Sequence, residues 1–374
     1  MRVLLTGGGT AGHINPALAI AETIRQNDPD AVIEFVGIKN GKENDLVPRE
    51  GYRLHHVKSM GIRRSLSPSN IKALWLALTS PYSKETVGII KDFHPDVVIG
   101  TGGYACWPIM AAAARMGIPT AVHESNALPG LAVKRLQNKV DRIWINFHAT
   151  KDLIRRQDKV VRVGNPLRGG FGLLSKEAAR NKLGIAKDQV LVLSFGGSLG
   201  AEEVNTAAIG VMKELISSNP RLLHVHATGK RDFEAAKKQF EDAGLSKREN
   251  CVLTDYIYDM PTYMAAADLV ISRAGAMTLS ELALMQKACI LIPSPYVADN
   301  HQYKNAKTLS DACAAYLVEE HTLAGGELLR VAKMLLETPE ERAILSYNVQ
   351  KFADTDANRR IWEEIKELTK TRKS

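Results

Sequence analysis

Cysteine is scarce in this chain of 374 residues: Cys106, Cys251, Cys289 and Cys313 are the four, and no two form a C-x-x-C pair or stand at zinc-ligand spacing. That excludes a disulfide scaffold and a zinc ribbon, and all four thiols are expected to be packing residues in a reducing compartment. Long apolar runs are missing too, since none approaches the ~18 residues of a membrane-spanning helix. Met1-Arg2 passes directly into Val3-Leu4-Leu5, so no secretory leader is expected. Charge is nearly balanced, 49 basic against 41 acidic side chains. The net +8 favours an anionic partner, whether phosphate, nucleic acid or acidic lipid surface, without choosing among them. With no clustered basic-aromatic stretch and no nucleic-acid motif, nucleic acid is not expected as a partner.

What is present is ordinary globular material, 45% hydrophobic and 24% charged, in a chain longer than one core usually supports. Two features recur in the same order in each half. "VLLTGGGTAGH" (3–13) has a counterpart in "VLVLSFGGSLGAEEVN" (190–205), and "DVVIGTGG" (96–103) has one in "DLVISRAG" (268–275). Short apolar runs alternate with helical stretches such as 16–26, 201–217 and 275–287, the pattern of βαβ units on parallel sheets. The reading is α/β, with two Rossmann-like domains facing a cleft. "RVGNPLRGG" (162–170) marks the break. The domains are expected at 1–165 and 166–349, with a helix over about 350–370 packing back on the first. Ligands of such sheets sit at the carboxyl ends of the strands, so the glycine loops should line the cleft.

The first loop, Gly7-Gly8-Gly9 and Gly12, permits positive φ and close backbone approach, and a helix is expected to start near Asn15-Pro16 with Pro at its first position. Unpaired N–H groups and the positive dipole end there suit an anion or a sugar. A dinucleotide site ranks lower, because His13 stands where G-x-G-x-x-G needs its third glycine and no acid closes "AVIEFVG" (31–37). Three more loops, 100–108, 195–203 and 272–281, offer helix starts, with Ser198 and Thr278 able to donate to phosphate oxygens. Glu281, further along the last of these helices, either faces solvent or takes both hydroxyls of a ribose.

"GGGTAGHINPALAIA", "TGGYACWP", "GIPTAVHESNALPG", "VGNPLR", "GGSLGAEEVN" and "SRAGAMTLSELALMQKACILIPSP" with "DNHQYKNA" together resemble the MurG family, N-acetylglucosaminyltransferases of the GT-B fold that act in peptidoglycan synthesis. The likeness runs over nearly the whole chain. It implies an inverting transfer of N-acetylglucosamine from UDP-N-acetylglucosamine to undecaprenyl-diphosphate-linked MurNAc-pentapeptide, lipid I to lipid II. It implies a donor site of Ser198, Thr278, Ala276 and Met277 at the diphosphate, Ile257 at uracil, Glu281 at the ribose, Arg168 near the nucleotide, and His301, Gln302 and Asn126 at the sugar. Thr10 and Gly12 belong to the substrate site too, and Gly9, Thr10, Gly102, Gly103 and Tyr104 form the acceptor loops. Leu199 stands where many members carry Gln.

The acceptor hydroxyl must lose a proton as UDP leaves with growing negative charge. His13 is the leading base, at a loop mouth and of a residue type that titrates near neutrality; capping the loop is its other role. His123 and Glu124 follow a buried strand and are expected to shape the floor of the cleft. No D-x-D pair stands where a metal is demanded, and no metal or cofactor is expected, UDP-N-acetylglucosamine being a substrate. The alternatives are another GT-B enzyme, either a glycolipid synthase or a UDP-sugar 2-epimerase.

A lipid-linked acceptor calls for an anionic membrane surface as partner. In "SPSNIKALWLALTSPYSK" (67–84), Ile71, Leu74, Trp75 and Leu78 share one face of a helix. That face either packs on the sheet or, with Arg63, Arg64 and Lys72 nearby, meets anionic headgroups. The expected location is the cytoplasmic face of the cell membrane, bound peripherally.

Overall fold

A computed structural model describes residues 1–59, 76, 78–197, 200–216, 219–297 and 300–370. The chain forms two compact units, Met1–Gly169 with Thr355–Ser374, and Gly170–Asp354.

Unit 1 carries β1 (Arg2–Thr6), β2 (Val32–Gly37), β3 (Arg53–His56), β4 (Val97–Gly100), β5 (Thr120–Glu124), β6 (Arg142–Ile145) and β7 (Val160–Arg162). They alternate with α1 (Ala11–Asn27), α2 (Glu43–Arg49), α3 (Lys84–Phe93), α4 (Cys106–Arg115) and α5 (Leu131–Leu136). The strands form one parallel sheet in the order β3-β2-β1-β4-β5-β6-β7. Both faces are covered, which is why the central strands read as unbroken apolar runs: Val3, Leu5, Val97 and Ile99 enter one core cluster while Leu4 and Val98 enter the other.

Unit 2 repeats the plan with β8 (Val190–Phe195), β9 (Leu222–Ala227), β10 (Cys251–Thr254), β11 (Leu269–Ser272), β12 (Cys289–Leu291) and β13 (Tyr316–Leu317). Its helices are α6 (Lys176–Leu183), α7 (Glu202–Ile216), α8 (Phe233–Asp242), α9 (Met260–Ala266), α10 (Ala276–Leu284), α11 (His301–Asp311), α12 (Glu327–Glu337) and α13 (Pro339–Val349). The sheet is again parallel, β10-β9-β8-β11-β12-β13. The repeated motifs thus become matching central pairs, β1 beside β4 and β8 beside β11, where the strand order reverses. In register, Thr6 lies opposite Gly100 and Phe195 opposite Ser272, so in each unit two glycine turns leave the sheet side by side.

The last helix, α14 (Ala357–Lys370), belongs to unit 1: Ile361, Ile365 and Leu368 are buried with Val3, Leu5 and Ile20, and the Trp144 indole donates to Glu364 at 3.2 Å. The first crossing comes after Gly169, four residues beyond the expected 165, and the return after Asp354 instead of near 350. Backbone bonding accounts for it. Arg360 donates to the Val163 carbonyl, Asn358 bonds both the N–H and the carbonyl of Leu167, and the Gly169 N–H donates to Glu22 at 2.9 Å.

Cys106, Cys251 and Cys289 are buried, but Cys313 is exposed, contrary to expectation. It takes the left-handed turn (φ 51°) just past the end of α11, which points its side chain outward. Among the described residues no helix is long and apolar enough to cross a membrane.

Candidate functional site

In unit 1, α1 begins at Ala11 and not near Pro16, because Thr10 adopts the extended cap conformation (φ −136°, ψ 153°) and its carbonyl accepts from His13 and Ile14. Pro16 therefore lies inside the helix, where its ring removes one backbone donor. His13 sits in the first turn instead of the loop mouth, with Nδ1 3.1 Å from the Thr10 hydroxyl.

The turn after β4 packs directly on this one. Thr101 Oγ1 donates to the His13 carbonyl at 2.6 Å. Gly102 has φ +101°, and a Cβ there would stand 2.7 Å from His13 Cδ2; Gly103 has φ +82°, and a Cβ there would stand 2.1 Å from the Gly8 carbonyl oxygen. Only glycine permits both the backbone sign and the approach. The Tyr104 ring, half exposed, lies beside Gly9. The structure therefore brings together Gly9, Thr10, Gly12, His13, Gly102, Gly103 and Tyr104.

Glu43, on α2, is not among the residues expected from the sequence. It is fully buried, and its two carboxylate oxygens accept from the N–H groups of Gly9 (2.9 Å) and Ile38 (2.8 Å). The signal was there in "GIKNGKE" (37–43), two glycines spaced before an acid.

His123 and Glu124, at the end of β5, are buried and structural. His123 Nε2 lies 2.8 Å from the Gly164 carbonyl, and burial pushes its pKa down to about 4, so it is neutral. Glu124, its pKa raised by burial, accepts from the Asn126 backbone (2.9 Å) and side chain (3.1 Å) and from the Gly130 N–H (2.7 Å). It shapes the loop that carries Asn126. Arg168 also lies in unit 1, its guanidinium 2.7 Å from Glu50.

In unit 2 the turn after β8 needs Gly197 (φ +94°) and Gly200 (φ +87°); a Cβ on Gly200 would meet the Thr228 carbonyl oxygen at 2.4 Å. Ser198, expected at the diphosphate, and Leu199 lie outside the described residues. Beneath the turn runs a buried polar chain that the sequence pattern does not announce. The Ser194 hydroxyl lies 2.8 Å from His224 Nε2 and 2.7 Å from His226 Nδ1, His226 Nε2 lies 3.1 Å from Asn205 Oδ1, and Asn205 donates to Thr228 at 3.0 Å. Burial pushes the two imidazoles down to about 3 and about 4. Alternate positions on β9, read as polar, point this pair into the core.

After β11, Gly275 caps α10 without a side chain (φ −69°, ψ 140°), so the start of the helix can be approached closely. Ala276 and Met277 are buried, with Thr278 and Glu281 half-buried. Asn305 of α11 donates to the Ala274 carbonyl at 3.4 Å, and Gln302 accepts from the Ser294 N–H at 2.9 Å. The expected residues Ala276, Met277, Thr278, His301 and Gln302 are therefore held by one loop and two helices. Ile257 is buried ahead of α9. Arg273, preceding the loop, forms a buried ion pair with Glu320 and donates to the Ile292 carbonyl at 3.2 Å.

Of the expected membrane face, Ile71, Leu74 and Trp75 lie outside the described residues. Leu78 is 65% exposed and Tyr82 67%.

Paired glycine turns over a parallel sheet recur in both units, and comparison with known proteins defines the class. Residues 3–145 match the glycosyltransferase family 28 N-terminal domain, and residues 191–361 match the family 28 C-terminal domain. The UDP-N-acetylglucosamine--N-acetylmuramyl-(pentapeptide) pyrophosphoryl-undecaprenol N-acetylglucosamine transferase of Acetivibrio thermocellus is 42% identical over 100% of this chain and 99% of its own. The crystal structure of Acinetobacter baumannii MurG matches with a TM-score of 0.71 at 26% identity, covering 98% of this chain and 99% of that one. The chain belongs to this MurG family of N-acetylglucosamine transferases. The UDP-GlcNAc 2-epimerase of Neisseria meningitidis, with a TM-score of 0.64 at 16% identity and covering 98% and 100%, shares the fold alone.

Proposed function

We propose that this chain transfers N-acetylglucosamine from UDP-N-acetylglucosamine to lipid-linked MurNAc-pentapeptide, with inversion at the sugar. The observation that carries the reading is the end-to-end identity with transferases of that reaction, 42% over 100% of the chain. In unit 2 the start of α10 and Thr278 stabilise the negative charge that grows on the departing diphosphate, and Glu281 takes the ribose hydroxyls. Ile257 lies at uracil, and His301 with Gln302 holds the sugar. In unit 1 Thr10 and His13 address the acceptor, with His13 accepting the proton of the attacking hydroxyl. Asn126 and Arg168, which the family likeness assigns to the donor, bond Glu124 and Glu50 within unit 1. The scheme uses a helix terminus and hydroxyl groups where other transferases use a metal, so none is required.

A lipid-linked acceptor calls for action at a membrane surface, which we take to be the cytoplasmic face of the cell membrane. Exposed Leu78 and Tyr82, with the basic residues of 63–72, support a peripheral attachment. The deciding experiment is UDP release from UDP-N-acetylglucosamine with and without undecaprenyl-diphosphate-MurNAc-pentapeptide. Acceptor-dependent release with formation of the disaccharide supports the transferase; release without acceptor, accompanied by epimerised sugar, would overturn it.

A further inference from the structure

Glu43 is a buried carboxyl group that pairs with backbone and forms no ion pair among the described residues. It is fully buried, and its partners are two backbone N–H groups, those of Gly9 and Ile38. Burying a carboxylate is costly unless it does something an apolar side chain cannot. Its surroundings are shaped for it. A Cβ on Gly8 would stand 2.5 Å from Oε1, one on Gly37 2.4 Å from Cγ, and one on Gly41 2.0 Å from Oε2. Three glycines, two of them far from the first loop in sequence, thus leave room for one carboxylate.

The Gly9 N–H consequently points inward, onto the Glu43 carboxyl group, and does not face a ligand. The Gly8–Gly9 peptide is held in the orientation that gives Gly9 φ +86° and sends Thr10 into its cap conformation. Thr10 in turn holds His13 Nδ1. We propose that Glu43 is a positioning residue of the transfer reaction: by taking the Gly9 amide inward, it sets Thr10 and His13 against the acceptor. The role rests on the reading above that unit 1 receives the acceptor.

Glu43→Gln tests it, because the amide offers one acceptor and one donor, so either Gly9 or Ile38 must face an NH2 group. The expected result is a rise in acceptor KM and a fall in kcat, together about 10- to 100-fold in kcat/KM, with donor KM changed by less than about twofold. The acidic limb of the pH-rate profile should also shift, since the partner of His13 is displaced. A fall in Vmax with both KM values and the pH profile unchanged means only a smaller folded fraction, and overturns the role. Gly41→Ala keeps the Glu43 side chain but pushes its carboxyl group away, and should give the same kinetic signature. Hydrogen exchange in the unaltered chain is a check that needs no variant: the Gly9 amide should be protected like those of β1, and exchange at the rate of an open loop overturns the proposal. If the unaltered chain shows no acceptor-dependent UDP release, the proposed function fails; if it does, and the Glu43→Gln constants match it, the role of Glu43 alone fails.

Discussion

His13 Nδ1 and the Thr10 hydroxyl stand 3.1 Å apart, so the residue that caps α1 also orients the imidazole. If Nδ1 carries the proton and donates to Thr10, Nε2 is the nitrogen that would accept a proton, as the proposed base role requires. His13→Ala should lower kcat by about two to four orders of magnitude with donor binding intact. Thr10→Val, which removes only the hydroxyl, should cost about tenfold. Steady-state kinetics beside a direct titration of UDP-N-acetylglucosamine checks both; near-normal kcat in His13→Ala would return this residue to a capping role.

Gly102 permits the same arrangement from the other side. Gly102→Ala introduces a Cβ 2.7 Å from His13 Cδ2 at φ +101°, so it should cost about 1–3 kcal/mol of stability and lower kcat more than donor affinity. Thermal unfolding and turnover read the two effects separately.

Glu281→Ala should weaken donor binding by roughly 1.5–3 kcal/mol, the value of a charge-assisted contact to a ribose. Calorimetric titration with UDP measures it, and an unchanged Kd would remove Glu281 from the site.

Unit 2 should be acid-sensitive. His224 and His226 are pushed down to about 3 and about 4 by burial, from 6.5. The unfolded chain therefore binds more protons than the folded one below pH 6.5, and stability falls as pH falls towards those values. Each histidine contributes up to about 1.4 kcal/mol per pH unit in that window; above pH 6.5 the effect vanishes. Urea unfolding between pH 7 and 4.5 should show the slope, and His226→Gln should flatten it.

The sheets and the paired glycine turns were legible because parallel buried strands announce themselves as apolar runs, and positive φ calls for glycine. The start of α1 was misread through Pro16, a residue favoured at a first helical position, although an unremarkable Thr10 had already made the cap. Glu43 and the Ser194–His224–His226–Asn205 chain escaped for a different reason. A charged or polar letter reads as surface until a partner distant in the chain is seen to enclose it. Gly9 lies 34 positions from Glu43, and Ser194 lies 32 from His226. The environment that makes them structural comes from tertiary folding, and local pattern carries no trace of it.

The return of α14 to unit 1 has a consequence for synthesis. Ile361, Ile365 and Leu368 complete a core begun by Val3 and Leu5, so a ribosome must deliver the whole of unit 2 before unit 1 can close. Until then the side of the first sheet that carries α1 lacks part of its apolar cover. Unit 2, Gly170–Asp354, is continuous in the chain. The half that begins first is thus the half whose core is completed last, by a helix that follows unit 2 in the chain.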